Sequence, residues 1–249
     1  MQAQVQKLTL SSQALRALSP QQRYVFALTG QIFNELILLM KWVDISRKAP
    51  GDPGPQEDAS VGVTMFVLGI LIGKTHGALE ILRRESVSEI FKADYLRLVN
   101  GLEVRWDEVL ARHDNMPWLA RVRNMSAFHY PTVGQWGPAL NENAIAEGAY
   151  IYVGKRYADT YYHWSAMAAA LPSMTLVNAE DPFQGLGTMV AQLGALLGDI
   201  TDCLARGLQE FMRANGVGDV ISQAIRFEAP ELKPTALHYF FADERLKPE

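Results

Sequence analysis

"SPQQRYVFALTGQIFNELILLMKWVDISRK", Ser19 to Lys48, is the stretch that decides the fold. Val25, Leu28, Ile32, Leu36, Leu39 and Val43 recur at intervals of three and four, the spacing that gathers side chains on one helix face. A strand would place them at every second position instead. The helix start is written in the same stretch. Ser19 suits the cap, and Pro20 suits the first helical position, where its missing N–H costs nothing. Gln22 stands where its side chain can return a hydrogen bond to the cap's own N–H. The helix is expected to stop at "APGDPGPQEDAS", Ala49 to Ser60, whose three prolines and two glycines read as a loop.

Outward from there, "VGVTMFVLGILIGKTHGALEILRRES", Val61 to Ser86, reads as a second helix. Its first half is apolar on nearly every face, so it is expected to be the most buried element. Val87 to Leu110 reads as a third helix, with Ile90, Tyr95, Leu98 and Val99 inward and Gly101 as a break or bend. A turn at "RHDNMP" leads to a further helix starting near Pro117. The stretch Asp181 to Gly216 restores a long helix: Asp181 caps it, Pro182 starts it and Gly216 ends it. Gly187, Gly194 and Gly198 on one broad face are expected to allow close helix packing.

Between these helices the pattern changes. "TVGQWGPALNENA", Thr132 to Ala144, reads as loop. "AYIYVGKRYADTYYHW", Ala149 to Trp164, is rich in tyrosine and β-branched residues around Gly154 and reads as a small β-hairpin or extended insert over about residues 145–165. Residues 1–18 read as an N-terminal extension and 228–249 as an irregular tail. No internal repeat interrupts the chain. The expectation is one all-α domain over residues 1–249: a helical bundle of four or more long helices with that insert.

Composition narrows the function. Apolar residues make up 49% of the 249 and charged residues 20%, ordinary for a chain with a sizeable core. A formal charge of −4 argues against a protein that coats nucleic acid or anionic membrane without specificity. The single cysteine, Cys203, rules out an intrachain disulfide and fits a reducing, cytoplasmic compartment. It lies in an apolar helical pattern, where a buried thiol is expected rather than a nucleophile. The N-terminus carries no secretory or transit pattern. Only 15 uncharged residues separate Asp58 from Lys74, and the uncharged run from Phe183 to Gly198 holds Gln184, Thr188 and Gln192. Both read as buried helices, so no membrane partner is expected. Phosphate-cradling glycine loops, a nucleophile elbow, a His-Glu-x-x-His pattern and Cys/His metal spacings are all missing from the sequence. No metal and no cofactor are expected.

One stretch stands out against the apolar helices: "RVRNMSAFHYP", Arg121 to Pro131. Arg123 offers a planar, permanently charged fork of donors that can hold a phosphate bidentately. His129 titrates near neutrality and can move a proton. Asn124 can orient but cannot titrate. A structural reading fits the same residues: a histidine at a helix C-terminus favours the helix dipole, and Arg123 and Asn124 can bond loop carbonyls.

"RNMSAFH", Arg123 to His129, resembles the signature of the HEPN superfamily, helical-bundle domains found in many prokaryotic toxins, abortive-infection proteins and RNA-guided effectors. That signature is an arginine, usually followed by a polar residue, then a histidine after four to six residues; here five intervene. The resemblance implies a metal-independent endoribonuclease that cleaves RNA by attack of the ribose 2′-hydroxyl, with Arg123 and His129 catalytic and Asn124 orienting the substrate. It equally admits a non-catalytic module that binds a nucleotide, an RNA or a protein. A homodimer, an RNA or nucleotide ligand, and an antitoxin partner protein in a defence setting come with it. On a regular helix Arg123 and His129 point about 120° apart and lie about 9 Å apart along the axis. Family members meet that problem by facing the motifs of two subunits across one cleft. Eight basic residues against seven acidic ones from Arg83 to Arg123 give no electrostatic funnel for RNA.

Two further features carry less. Glu35 and Lys74 interrupt apolar helices and are expected to face solvent or to form a structural pair. "YYHW", Tyr161 to Trp164, reads first as packing within the insert and second as a platform for stacking bases.

Overall fold

The computed structural model describes residues 2–46, 54–127, 132–137, 149–154, 160–217 and 220–228. Most of them are helical. The helices are α1 (Ser12–Ala17), α2 (Pro20–Ser46), α3 (Gly54–Arg83), α4 (Glu85–Phe91) and α5 (Leu102–Asp114). They continue with α6 (Trp118–Val122), α7 (Val133–Trp136), α8 (His163–Thr175) and α9 (Pro182–Ala214). Two π-helical turns, Lys92–Leu96 and Arg123–Ala127, extend α4 and α6. The protein is an all-α helical bundle, as its periodicity requires.

The helix signals in the sequence are used as written. Ser19 and Gln22 form the reciprocal capping pair: Gln22 N–H donates to Ser19 Oγ at 3.1 Å, and Ser19 N–H donates to Gln22 Oε1 at 3.0 Å. At the start of α9, Gln184 N–H donates to Asp181 Oδ1 at 2.9 Å. Gly216, at φ 60°, ends that helix in the left-handed region, and Val217 N–H closes back onto the Met212 carbonyl.

The described chain packs as two compact units, and the division falls within α2, α3 and α9. One unit holds residues 2–38, 74–117 and 192–228; its core includes Val25, Leu36, Leu79, Leu196 and Ile200, each at most 1% exposed. Tyr95 stacks on Phe211 with ring centres 4.5 Å apart, and Phe91 meets Trp106 edge-on. Cys203 is fully buried, and burial pushes its thiol up to about 11, so it is no nucleophile at neutral pH. The other unit holds 39–73 and 118–191, with Leu68, Ile72, Leu119, Val122, Met174 and Met189 inside.

Several elements depart from the sequence reading. The expected loop from Ala49 to Ser60 is shorter: α3 begins at Gly54, since Pro55 is tolerated in a first turn and Glu57 favours the helix dipole there. As expected, α3 is the most buried of the long helices, although residues 61–65 are only half-buried and Phe66 is 71% exposed. The third helix is two. Gly101, at φ 76°, breaks it, and the π turn before it shifts the register, so Leu96 is buried where Leu98 was expected and Leu98 faces outward. Space is open around Gly187, Gly194 and Gly198. The closely packed glycines of α9 are instead Gly185, where a Cβ would lie 2.5 Å from the Met174 carbonyl, and Gly207, where it would lie 3.2 Å from Tyr95 Cβ.

Residues 1–18 are more than an extension. β1 (Gln2–Thr9) pairs antiparallel with β2 (Val220–Glu228), Val5 opposite Ile225, and α1 follows β1. The tail beyond Glu228 lies outside the described residues. In the insert, Tyr152 and Tyr161 form an isolated antiparallel bridge, each N–H donating to the other's carbonyl at 2.8 Å. The bridge lies within the window of about 145–165 where a hairpin or extended insert is expected; residues 145–148 and 155–159 lie outside the described residues, and α8 starts at His163.

Candidate functional site

Arg123 and Asn124 open the π turn that ends the α6 helix, and both are exposed. Arg123 Nη1 donates to Asn124 Oδ1 at 3.2 Å. Among the described residues, no carboxylate pairs with Arg123. His129 and Pro131 lie outside the described residues. Pro131, four residues after Ala127, lacks the N–H that an α-helical bond to the Ala127 carbonyl would need. The turn from Arg123 to Ala127 uses the wider i→i+5 bonding, so the angular separation calculated for a regular helix does not apply across it.

Val122, next to Arg123 in sequence, lines an apolar cavity of about 250 Å³. Phe66 and Ile72 of α3, Ala169 and Ser173 of α8 and Met189 of α9 also line it. The insert sits near the start of α3: Tyr150 and Tyr152 donate their hydroxyls to Asp58 Oδ2 at 2.6 and 2.7 Å. Burial raises the Asp58 pKa, but the two phenolic donors outweigh it and hold the carboxyl below its ordinary value. His163 stacks on Tyr150 with ring centres 4.5 Å apart. Tyr150, Tyr152 and Tyr161 are thus engaged in packing and in binding Asp58. Glu35 and Lys74 pair with each other at 2.9 Å, both partly exposed.

A second cluster lies, like Glu35 and Lys74, in the unit that holds residues 74–117. His76 and Glu80 are one turn apart on α3, and His113 is in the last turn of α5. His76 Nδ1 and His113 Nε2 are 3.0 Å apart, with the ring planes 26° from parallel. The ligand atoms of His76, Glu80 and His113 all lie within 4.8 Å of one another. His113 is buried, and burial, followed by the nearby Arg83 charge, lowers its pKa. Sequence reasoning did not single these residues out. A histidine and a glutamate four apart on a helix are too common to signal a site, and His113 joins them only through the fold.

No protein-family model matches this chain, and neither the curated proteins nor the solved structures provide a match. What the fold and site define is an all-α protein that presents an exposed arginine–amide pair on a π-helical turn. By length and composition α3 could also cross a membrane, though half of its most apolar window is buried within the protein.

Proposed function

We propose that this protein is a HEPN-like RNA-binding protein and a metal-independent endoribonuclease, with Arg123, Asn124 and His129 as its site. The observation that carries the reading is the exposed Arg123 guanidinium, engaged by an amide and by no described carboxylate. An arginine already neutralised by an acid would bind phosphate weakly. Arg123, paired with no described carboxylate, offers a charged fork suited to a phosphate. The π turn supports the reading too, because such turns recur at functional sites.

In this mechanism Arg123 grips the non-bridging oxygens of an RNA phosphate and stabilises the charge that grows in the transition state. His129 moves the proton. The ribose 2′-oxygen loses its proton and bonds to phosphorus, the bond to the 5′-oxygen breaks, and that oxygen takes up a proton as it leaves. Asn124 steadies the guanidinium. Two chains pair so that both motifs face one cleft, which supplies the second set of groups.

Single-stranded RNA and DNA of the same sequence, incubated with the protein in EDTA, test the proposal. RNA is cut and DNA is not, since DNA has no 2′-hydroxyl. RNA that is bound but never cut moves the protein to a binding module. RNA neither bound nor cut overturns the reading.

A further inference from the structure

We propose that His76, Glu80 and His113 form a binding site for a divalent transition-metal ion of the zinc type, independent of the Arg123 motif. Two imidazoles and a carboxylate are a donor set that such ions favour over magnesium or calcium, which prefer oxygen alone. The spacing fits. Zinc holds nitrogen ligands at about 2.0–2.1 Å, so two of them lie about 3.3 Å apart at a tetrahedral angle and about 2.9 Å apart at a right angle. His76 Nδ1 and His113 Nε2 are 3.0 Å apart, and Glu80 is within 4.8 Å of both, so small side-chain shifts converge all three.

The surroundings of His113 are those of a ligand. The ring is only 7% exposed, and its buried Nδ1 has no hydrogen-bond partner in its present position. Asp114 Oδ1 waits 3.4 Å from that nitrogen, and Arg83 Nη1 grips the same oxygen at 2.7 Å. Arg83 is anchored in turn through Nη2 to the Leu110 carbonyl at 2.9 Å. A cation on Nε2 makes the opposite N–H a stronger donor and draws it toward Asp114, the carboxylate–histidine–metal relay that orients metal ligands. The His76 Nδ1 and His113 Nε2 atoms face each other at 3.0 Å, while the His113 Nδ1–Asp114 contact is longer, at 3.4 Å. Glu80 is exposed and His76 half-buried, so an ion can enter from solvent, and three protein ligands leave a position for water.

The test uses the full chain, stripped with EDTA and titrated with Co²⁺, whose visible absorption reports ligand geometry, followed by displacement with Zn²⁺. One equivalent of Co²⁺ is expected to bind and to be displaced by Zn²⁺. His76→Asn and Glu80→Gln, both outside the core, are expected to abolish that signal while leaving the far-ultraviolet circular dichroism unchanged. Asp114→Asn is expected to keep the site but weaken it about 10- to 100-fold, an effect on affinity that a merely structural aspartate would not have. Wild-type protein that binds neither ion near equimolar ratio overturns the proposal. So does binding that survives in His76→Asn and Glu80→Gln, because the ion then sits elsewhere.

Discussion

Tyr150 donates its hydroxyl to Asp58 Oδ2 at 2.6 Å, tying the insert to α3 across 92 positions of sequence. Tyr152 adds a second bond to the same oxygen, and Tyr161 donates to the Asp58 backbone carbonyl at 3.3 Å. The Tyr161 ring also fills the space that a Cβ at residue 62 would need. Asp58→Ala removes both phenolic contacts at once. The described part of the insert, 149–154 and 160–162, is expected to become more sensitive to limited proteolysis, with only a small loss of stability because solvent screens these contacts. Unchanged cleavage there would show that the insert is held by its apolar contacts alone.

Asp199 is clamped by two arginines: Arg105 Nη2 lies 2.8 Å from Oδ1 and Arg112 Nη1 lies 2.5 Å from Oδ2. The Arg105 hydrogen bond, opposed by burial and reinforced by Arg112, holds the carboxyl below its ordinary value. A depressed carboxylate stabilises the fold above its unfolded pKa of about 3.9 and loses that effect as pH falls through the lower folded value. Asp199→Asn is therefore expected to lower Tm by roughly 2–4 °C at pH 7. The gap between variant and wild type should close as pH falls below about 4. Thermal melts over pH 3–7 check both the size and the direction.

Gly185 and Gly187 sit two residues apart on α9 and should respond oppositely to alanine. At Gly185 the new Cβ meets the Met174 carbonyl, which is backbone and cannot swing aside, so Gly185→Ala is expected to cost about 1–3 kcal/mol. At Gly187 the space is open, and Gly187→Ala is expected to gain about 0.5–1 kcal/mol from helix propensity alone. Urea unfolding of the two variants measures the pair.

Periodicity and caps carry most of this fold in plain view. Ser19, Gln22, Asp181 and Gly216 mark real helix ends because capping is local chemistry, decided within four residues. The alternation of "QAQVQKLT" was an equally local cue to β1, but one strand is silent about its partner, and β2 lies more than 200 positions away. The π turns were illegible for a different reason: an i→i+5 turn inserts a residue without changing composition, so Leu96 and Leu98 exchange burial with no mark in the sequence. Alanine-rich α8 could have been found, but Pro172 inside it reads as punctuation. At the candidate site, residue chemistry pointed to Arg123 and Asn124, and the fold exposes both. His76, Glu80 and His113 come together only through helix packing, which spacing cannot foretell.

RNA cleavage by Arg123 and His129 through the substrate's own 2′-hydroxyl is the activity proposed for this protein. The most direct measurement is the end-group chemistry of RNA fragments produced in EDTA by the wild type, Arg123→Ala and His129→Ala, with all three shown to be folded. The wild type is predicted to leave a 2′,3′-cyclic phosphate on the upstream fragment. Each variant is predicted to cut about 10²- to 10³-fold more slowly, and Asn124→Ala less so. Fragments ending in a 3′-hydroxyl, or undiminished cleavage by protein lacking both Arg123 and His129, would contradict the account.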